Sequence, residues 1–201
     1  MTPASVSTPE DVKNQILYAA GTRFALHGFQ KTTMAEIAQD CKMSAANLYR
    51  YFENKSDIGA GIAARHFADK ERRWREVVRR PGLSAKERLE TFVLENMRCV
   101  YDEFCHHPRI SELVDVIAQE HWDLVQRHLD TNRALLAEVL AEGNRTGEFD
   151  VPDVVTAAEF IQMATAKFCT PLMMLGKQSI DELDRLARGV VKLLIRGLAK
   201  R

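Results

Sequence analysis

Apolar residues recur at steps of three and four along almost the whole chain, and no stretch alternates polar with apolar positions as a half-buried strand would. Val12, Ile16, Ala20 and Phe24 stand four apart and predict a first helix over about residues 9 to 27, which Gly28 ends. Ile37 with Ala38, and Leu48 with Phe52, are the inward pairs of two short helices set around Lys42 and Met43. Longer helical patterns follow over about residues 55–80, 84–105, 109–118, 120–143, 152–175 and 180–199. The fold class is therefore all-α, with about nine helices.

Helix starts are signalled by Thr8 with Asp11, Thr33 with Glu36, Ser44, Asn54 with Asp57, Ser84 with Glu87, and Ser179 with Glu182. In several of these a side-chain oxygen and a carboxylate three residues on satisfy amides that the first turn leaves unpaired. Pro81-Gly82, Pro108 and the run EGNRTGEFDVPD break the pattern. The last helix carries Leu183, Leu186, Val190, Leu193, Leu194 and Leu198 along one side, a stripe that either closes the core or faces a second subunit.

Two short helices around a tight turn, residues 34–52, make a helix-turn-helix. With Leu48 pointing inward at ~100° per residue, Ala46 and Arg50 point directly away, while Asn47 with Tyr51 and Ala45 with Tyr49 flank the buried stripe. The outer side is small near its start and aromatic or basic further on. That distribution suits a helix entering a major groove: small residues allow close approach, Asn pairs with adenine, and Tyr and Arg reach phosphate oxygens. A helical hairpin packed for stability alone, with the tyrosines as half-buried filler, fits the same geometry.

Composition sharpens some of this. With 201 residues and 46% hydrophobic content the chain can bury a sizeable core. The 28 basic residues equal the 28 acidic ones, so a polyanion partner must be met by a local site, not by bulk charge. The four cysteines form no C-x-x-C pair and are expected as free thiols. No apolar run is long enough for a membrane span and MTPASVSTPED is not ordered like a signal peptide, so a cytoplasmic chain without a membrane role is the expectation.

The stretch from Ile16 through RFALHGFQKTTMAEIAQDCKMSAANLYRYFENKSDI resembles the N-terminal DNA-binding domain of TetR-family transcriptional regulators. The family's elements stand in order: Phe24, Gly28, Phe29, Thr33, Ile37, Ala38, Ser44, Leu48, Tyr49, Tyr51, Phe52, Asn54 and Lys55. The resemblance implies that Thr33, Tyr49, Tyr51 and Lys55 hold phosphates. Ala45, Asn47 and Arg50 are the candidates near bases, and Lys42 and Ser44 complete the DNA-facing set. Cys41-Lys42-Met43 replaces a common Ala-Gly-Val, so Lys42 must adopt a conformation that glycine reaches more cheaply by ~1 kcal/mol. Ala46 stands where glycine is frequent and Asn47 where threonine is, so the operator cannot be borrowed from a relative.

By the same resemblance, residues 1–55 form the helix-turn-helix domain and residues 56–201 a larger ligand-binding and dimerisation domain. A homodimer through the two C-terminal helices would read a pseudo-palindromic double-stranded operator and leave it when a small-molecule effector binds, as a repressor does. Out-of-place groups on apolar helices nominate Met97, Tyr101 and Phe104, His121, Trp122 and Val125, and Phe160, Met163, Lys167 and Phe168 for an apolar or aromatic effector. Ordinary core, with Lys167 reaching the dimer edge, is the competing reading.

A metal- or redox-responsive regulator using Cys105, His106 and His107, helped by His121 and His128, is a second alternative. A helical enzyme or scaffold without a DNA role is a third. No catalytic motif supports an enzyme, and no cofactor is expected.

Overall fold

The computed structural model describes residues 8–106, 109–173 and 179–200. Among them are nine α-helices: α1 (Pro9–His27), α2 (Met34–Asp40), α3 (Ala45–Leu48), α4 (Lys55–Val78), α5 (Ala85–His106), α6 (Ile110–Glu120), α7 (Trp122–Thr146), α8 (Val154–Cys169) and α9 (Ile180–Leu198). A single 3-10 turn, Pro171–Met173, follows α8. None of the described helices is long and apolar enough to cross a membrane.

The helix starts lie where the polar signals put them. Thr8 and Thr33 each form a reciprocal capping box, with Asp11 and Glu36 respectively. Ser44, Asn54, Ser84 and Ser179 each accept from the backbone amide three residues on. Asp153, which the sequence reading passed over, caps α8 by accepting from the amides of Val155 and Thr156.

The chain forms two compact units: residues 1–66 with 107–124, and residues 67–106 with 125–201. Neither unit is contiguous, and the first half of α4 together with α6 joins α1–α3 across the expected boundary after residue 55. In the first unit Ile16, Ala20, Phe24, Ile37, Leu48 and Ile58 are fully buried, and the rings of Phe24 and Phe29 lie 5.0 Å apart. Burying an aliphatic or aromatic side chain is worth ~1.5–3 kcal/mol, which is how helices as short as α2 and α3 persist.

Helix α6 is fastened to the loop after α1. Glu112 Oε2 accepts from the backbone amide of Gln30 at 2.8 Å, and Arg109 donates to the carbonyl of His27 at 3.4 Å. Gly28 turns the chain with φ of 89°, and a Cβ there would meet the Glu112 carboxylate at 2.8 Å. The conformation requires glycine, and a side chain there would also displace the Glu112 carboxylate from the Gln30 amide.

In the second unit α5 packs on α8 and α9, which also pack on each other. The principal core joins Trp74, Val77, Leu89, Phe92, Leu136, Val139, Leu140, Phe149, Ala158, Ile161 and Val191. A smaller cluster holds Leu94, Met97, Phe168, Leu183 and Ala187. His128 lies between the rings of Phe67 at 4.0 Å and Trp74 at 4.7 Å, with Glu71 Oε1 3.0 Å from its Nδ1, and so pins α7 to α4.

Candidate functional site

Helices α2 and α3 form the helix-turn-helix, and three interactions fix it against α1. Arg23 grips Asp40 through Nε and Nη2 at 2.5 and 2.9 Å, and its Nη1 lies 3.2 Å from Glu36. Gln15 Nε2 donates to the carbonyl of Cys41 in the turn. The Arg23 guanidinium holds the Asp40 carboxyl below its usual range, and the carboxylates raise the arginine in return. Lys42 has φ of 55°, the conformation that the missing glycine of the turn demands, while the amide of Met43 closes back on the carbonyl of Ala38 at 2.9 Å.

After four residues of α3 the chain continues in tight turns, the amides of Tyr51 and Phe52 both reaching the carbonyl of Leu48. Leu48 is fully buried, as its inward position requires. Ala46, Tyr49 and Arg50 are exposed and Ala45, Asn47 and Tyr51 half-buried, so these residues surround the outer side of the short helix. Lys42 and Ser44 are exposed beside them. Asn47 Nδ2 has only a long contact to Met43 Sδ at 3.9 Å, which leaves its amide largely uncommitted.

Thr33 and Lys55 are differently engaged. The Thr33 hydroxyl donates to Glu36 Oε2 at 2.8 Å within its capping box. The Lys55 ammonium donates to the carbonyls of Phe29, Gln30 and Thr32 at 2.6, 3.4 and 2.8 Å and lies 4.4 Å from the Phe29 ring centre. Partial burial pushes Lys55 below the usual lysine value, against the pull of Glu112 and Glu36. Its three N–H groups are occupied within the protein, so it organises the 29–32 loop rather than standing ready for a phosphate.

The residues nominated for an effector separate into groups. Met97 and Phe168 are buried in the smaller core cluster with Tyr101 packed against it, and Phe104 is half-buried on α5. Phe160, Met163 and Lys167 instead stand exposed on α8. Phe160 lines an apolar groove of about 450 Å³ with Ala157, Ile161, Val190, Leu193, Leu194, Gly197 and Leu198, between α8 and α9. Trp122 is exposed and Val125 half-buried near the start of α7.

His121 precedes α7 at the break after α6, with Nε2 2.9 Å from Ser56 Oγ. It therefore stands outside α7, the helix that carries His128, although a spacing of seven would put the two on one face of a continuous helix. The side chains of Cys105, His106 and His107 lie outside the described residues. Among the described residues no cluster of three or more metal-ligating groups occurs.

Sequence reasoning missed Lys70, which is 6% exposed, and the buried Asn96 and Thr165. The signal was present for Lys70: three residues after Phe67 and four before Trp74, it occupies an inward position on α4.

Residues 16–62 match the family described as bacterial regulatory proteins of the tetR family, and residues 85–191 match its tetracyclin repressor-like C-terminal domain. The HTH-type transcriptional repressor KstR2 of Rhodococcus jostii is 26% identical over 156 residues, covering 75% of this chain and 74% of that protein. A TetR-family regulator from Mesorhizobium loti superimposes with a TM-score of 0.76 at 18% identity, over 95% of this chain and 98% of that one. FadR of Bacillus subtilis, solved with stearoyl-CoA, gives 0.68 at 22% identity over 92% and 98%. With an N-terminal reader and more than half of its length matched to the C-terminal domain, this chain belongs to the TetR family of DNA-binding transcriptional regulators.

Proposed function

We propose that the protein is a homodimeric repressor that binds a pseudo-palindromic operator and leaves it when a small apolar or aromatic effector enters the second unit. The observation that carries the DNA role is the outer side of α3: a small entry at Ala45 and Ala46, an uncommitted amide at Asn47, and Tyr49, Arg50 and Tyr51 beyond. Asn47 and Arg50 are assigned to base edges, and Tyr49, Tyr51, Ser44 and Lys42 to phosphates. Lys55 and Thr33 contribute by holding the loop and the start of α2 in place.

A two-helix reader covers one half-site, so two copies are needed for a symmetric operator. The apolar groove between α8 and α9, with Phe160 and Leu193 exposed along it, supports pairing through these helices. Phe160 is accordingly assigned to the subunit contact, and Met97, Tyr101 and Phe168 remain the apolar candidates for effector contact.

Two relatives point the same way. KstR2 is a repressor and FadR was solved holding an amphiphile with an apolar chain. Selection from a random DNA pool at near-physiological salt tests the reading: a symmetric enriched motif is expected, and binding that shows no sequence preference and vanishes with salt would overturn it.

A further inference from the structure

Most polar side chains buried in the second unit have partners: Asn132 with Gln162, Thr165 with the carbonyl of Ile161, His128 with Glu71. Two do not. The Lys70 ammonium is buried, and none of the described residues gives it a hydrogen bond or an ion pair; its nearest specific contact is the Trp74 ring, 5.4 Å from Nζ to centroid. The Asn96 Oδ1 atom is likewise buried without a hydrogen-bond partner.

Both groups converge on Cys169 at the end of α8. Lys70 acts on its thiol electrostatically, and Asn96 and Thr165 through hydrogen bonding. Cys169 packs against both apolar clusters of the unit, so this polar knot lies at the seam between the Trp74–Phe92 core and the Met97–Phe168 cluster. The other titratable groups acting on Lys70 are Cys99 and Glu103, both from α5. Burial dominates over all of them and lowers the lysine from its usual value.

A buried cation with three unmet donors, beside an unmet acceptor and flanked by apolar clusters, is poor design for a core and good design for one kind of guest. We propose that Lys70 and Asn96 are the polar end of the effector site and that the effector is a carboxylic acid with an apolar body. Lys70 takes the carboxylate, and Asn96 accepts from a hydroxyl or amide N–H next to the acid. The hydrocarbon or aryl portion lies along Met97 and Phe168. This inference rests on the reading of the second unit as a sensor, but it concerns binding alone and can be measured without DNA.

The full-length protein is titrated calorimetrically with decanoate, β-hydroxydecanoate and phenylbutyrate, and with decanol as the uncharged control. Lys70→Met preserves length and removes charge; Asn96→Leu removes the acceptor. The unaltered protein is expected to prefer the acids to decanol by at least tenfold, on the order of what one charge-assisted hydrogen bond provides. Lys70→Met is expected to abolish that preference while melting at the same temperature or higher, and Asn96→Leu to erase the advantage of the β-hydroxy acid over decanoate.

Failure of the acids to bind, equal binding of acid and alcohol, an unchanged preference in Lys70→Met, or a lowered melting temperature marking the lysine as structural would each overturn the proposal. Operator binding is measured on the same preparations. A protein that finds its operator yet ignores the acids refutes only the effector assignment, whereas one that binds acids through Lys70 but selects no operator refutes only the regulator reading.

Discussion

The Lys55 ammonium lies 2.6 Å from the carbonyl oxygen of Phe29 and 4.4 Å from the centre of the same residue's ring, so one side chain grips both the backbone and the aromatic plate of the loop before α2. Replacing Lys55 by Met removes three charge-assisted bonds to carbonyls, of which that of Phe29 keeps the amide of Thr32 at 3.3 Å. Because the group is only partly buried, a loss of about 2 kcal/mol is expected, toward the lower end for such bonds. Urea unfolding measures it, and DNA affinity should fall evenly across sequences as the loop loosens. Unchanged stability with a lowered salt slope would return Lys55 to the phosphate backbone.

Lys42 separates conformation from charge. Lys42→Gly relieves a left-handed backbone and should raise stability by ~0.5 kcal/mol after the added freedom of the unfolded chain is counted. Should its charge also meet a phosphate, the dependence of log affinity on log salt becomes shallower by about one unit. A salt slope equal to that of the parent protein would leave Lys42 with a purely conformational role.

Asn47 is assigned to a base because its amide is held only by a long sulfur contact. Asn47→Ala should relax preference at one position in each half-site by ~1–3 kcal/mol, read by repeating the DNA selection. An identical motif after the change would remove Asn47 from readout.

The subunit surface is tested by charge. Leu193 is 68% exposed and Phe160 66%, so Leu193→Asp changes little in the isolated chain but places a carboxylate in the middle of the proposed contact. Sedimentation should show monomers, with helicity retained and operator binding lost. A dimer of unchanged strength would place the interface elsewhere.

Acid should weaken the reader in a defined direction. Asp40 is lowered from 3.8, chiefly by its hydrogen bond to Arg23, and Glu36 from 4.5, chiefly by its bond to Thr33. Lowered carboxylates contribute stability in full above their ordinary values and lose it as pH falls through the folded ones. Unfolding midpoints should therefore drop below pH 4.5, and Arg23→Met should flatten the decline that Asp40 contributes. A parallel decline in parent and variant would remove the Arg23 pair from the acid response.

Much of the architecture was legible in the sequence because the devices that set it are local. The stripe Ile16, Ala20, Phe24 and the caps at Thr33, Ser44 and Ser179 need only near neighbours to act, whereas the strained conformation of Lys42 was legible only through the resemblance, as a lysine where the family commonly has glycine. What escaped was set by distant partners. Lys55 looked like a phosphate ligand until its carbonyls, more than twenty residues earlier, were in place. Phe160 and Met163 stand exposed, and an apolar helix does not reveal in its sequence which of its sides is covered. Lys70 drew no notice, although its step from Trp74 turned it inward.

The carboxylate of Glu112 is separated by 82 positions from the Gln30 amide it receives, yet it seats the loop that leads into α2. The reading head is thus a composite of the chain's beginning and a strut made much later. A fragment cut after Lys55 lacks that strut and should dock loosely or not fold. Exchanging readers between relatives should succeed only when α6 travels with them.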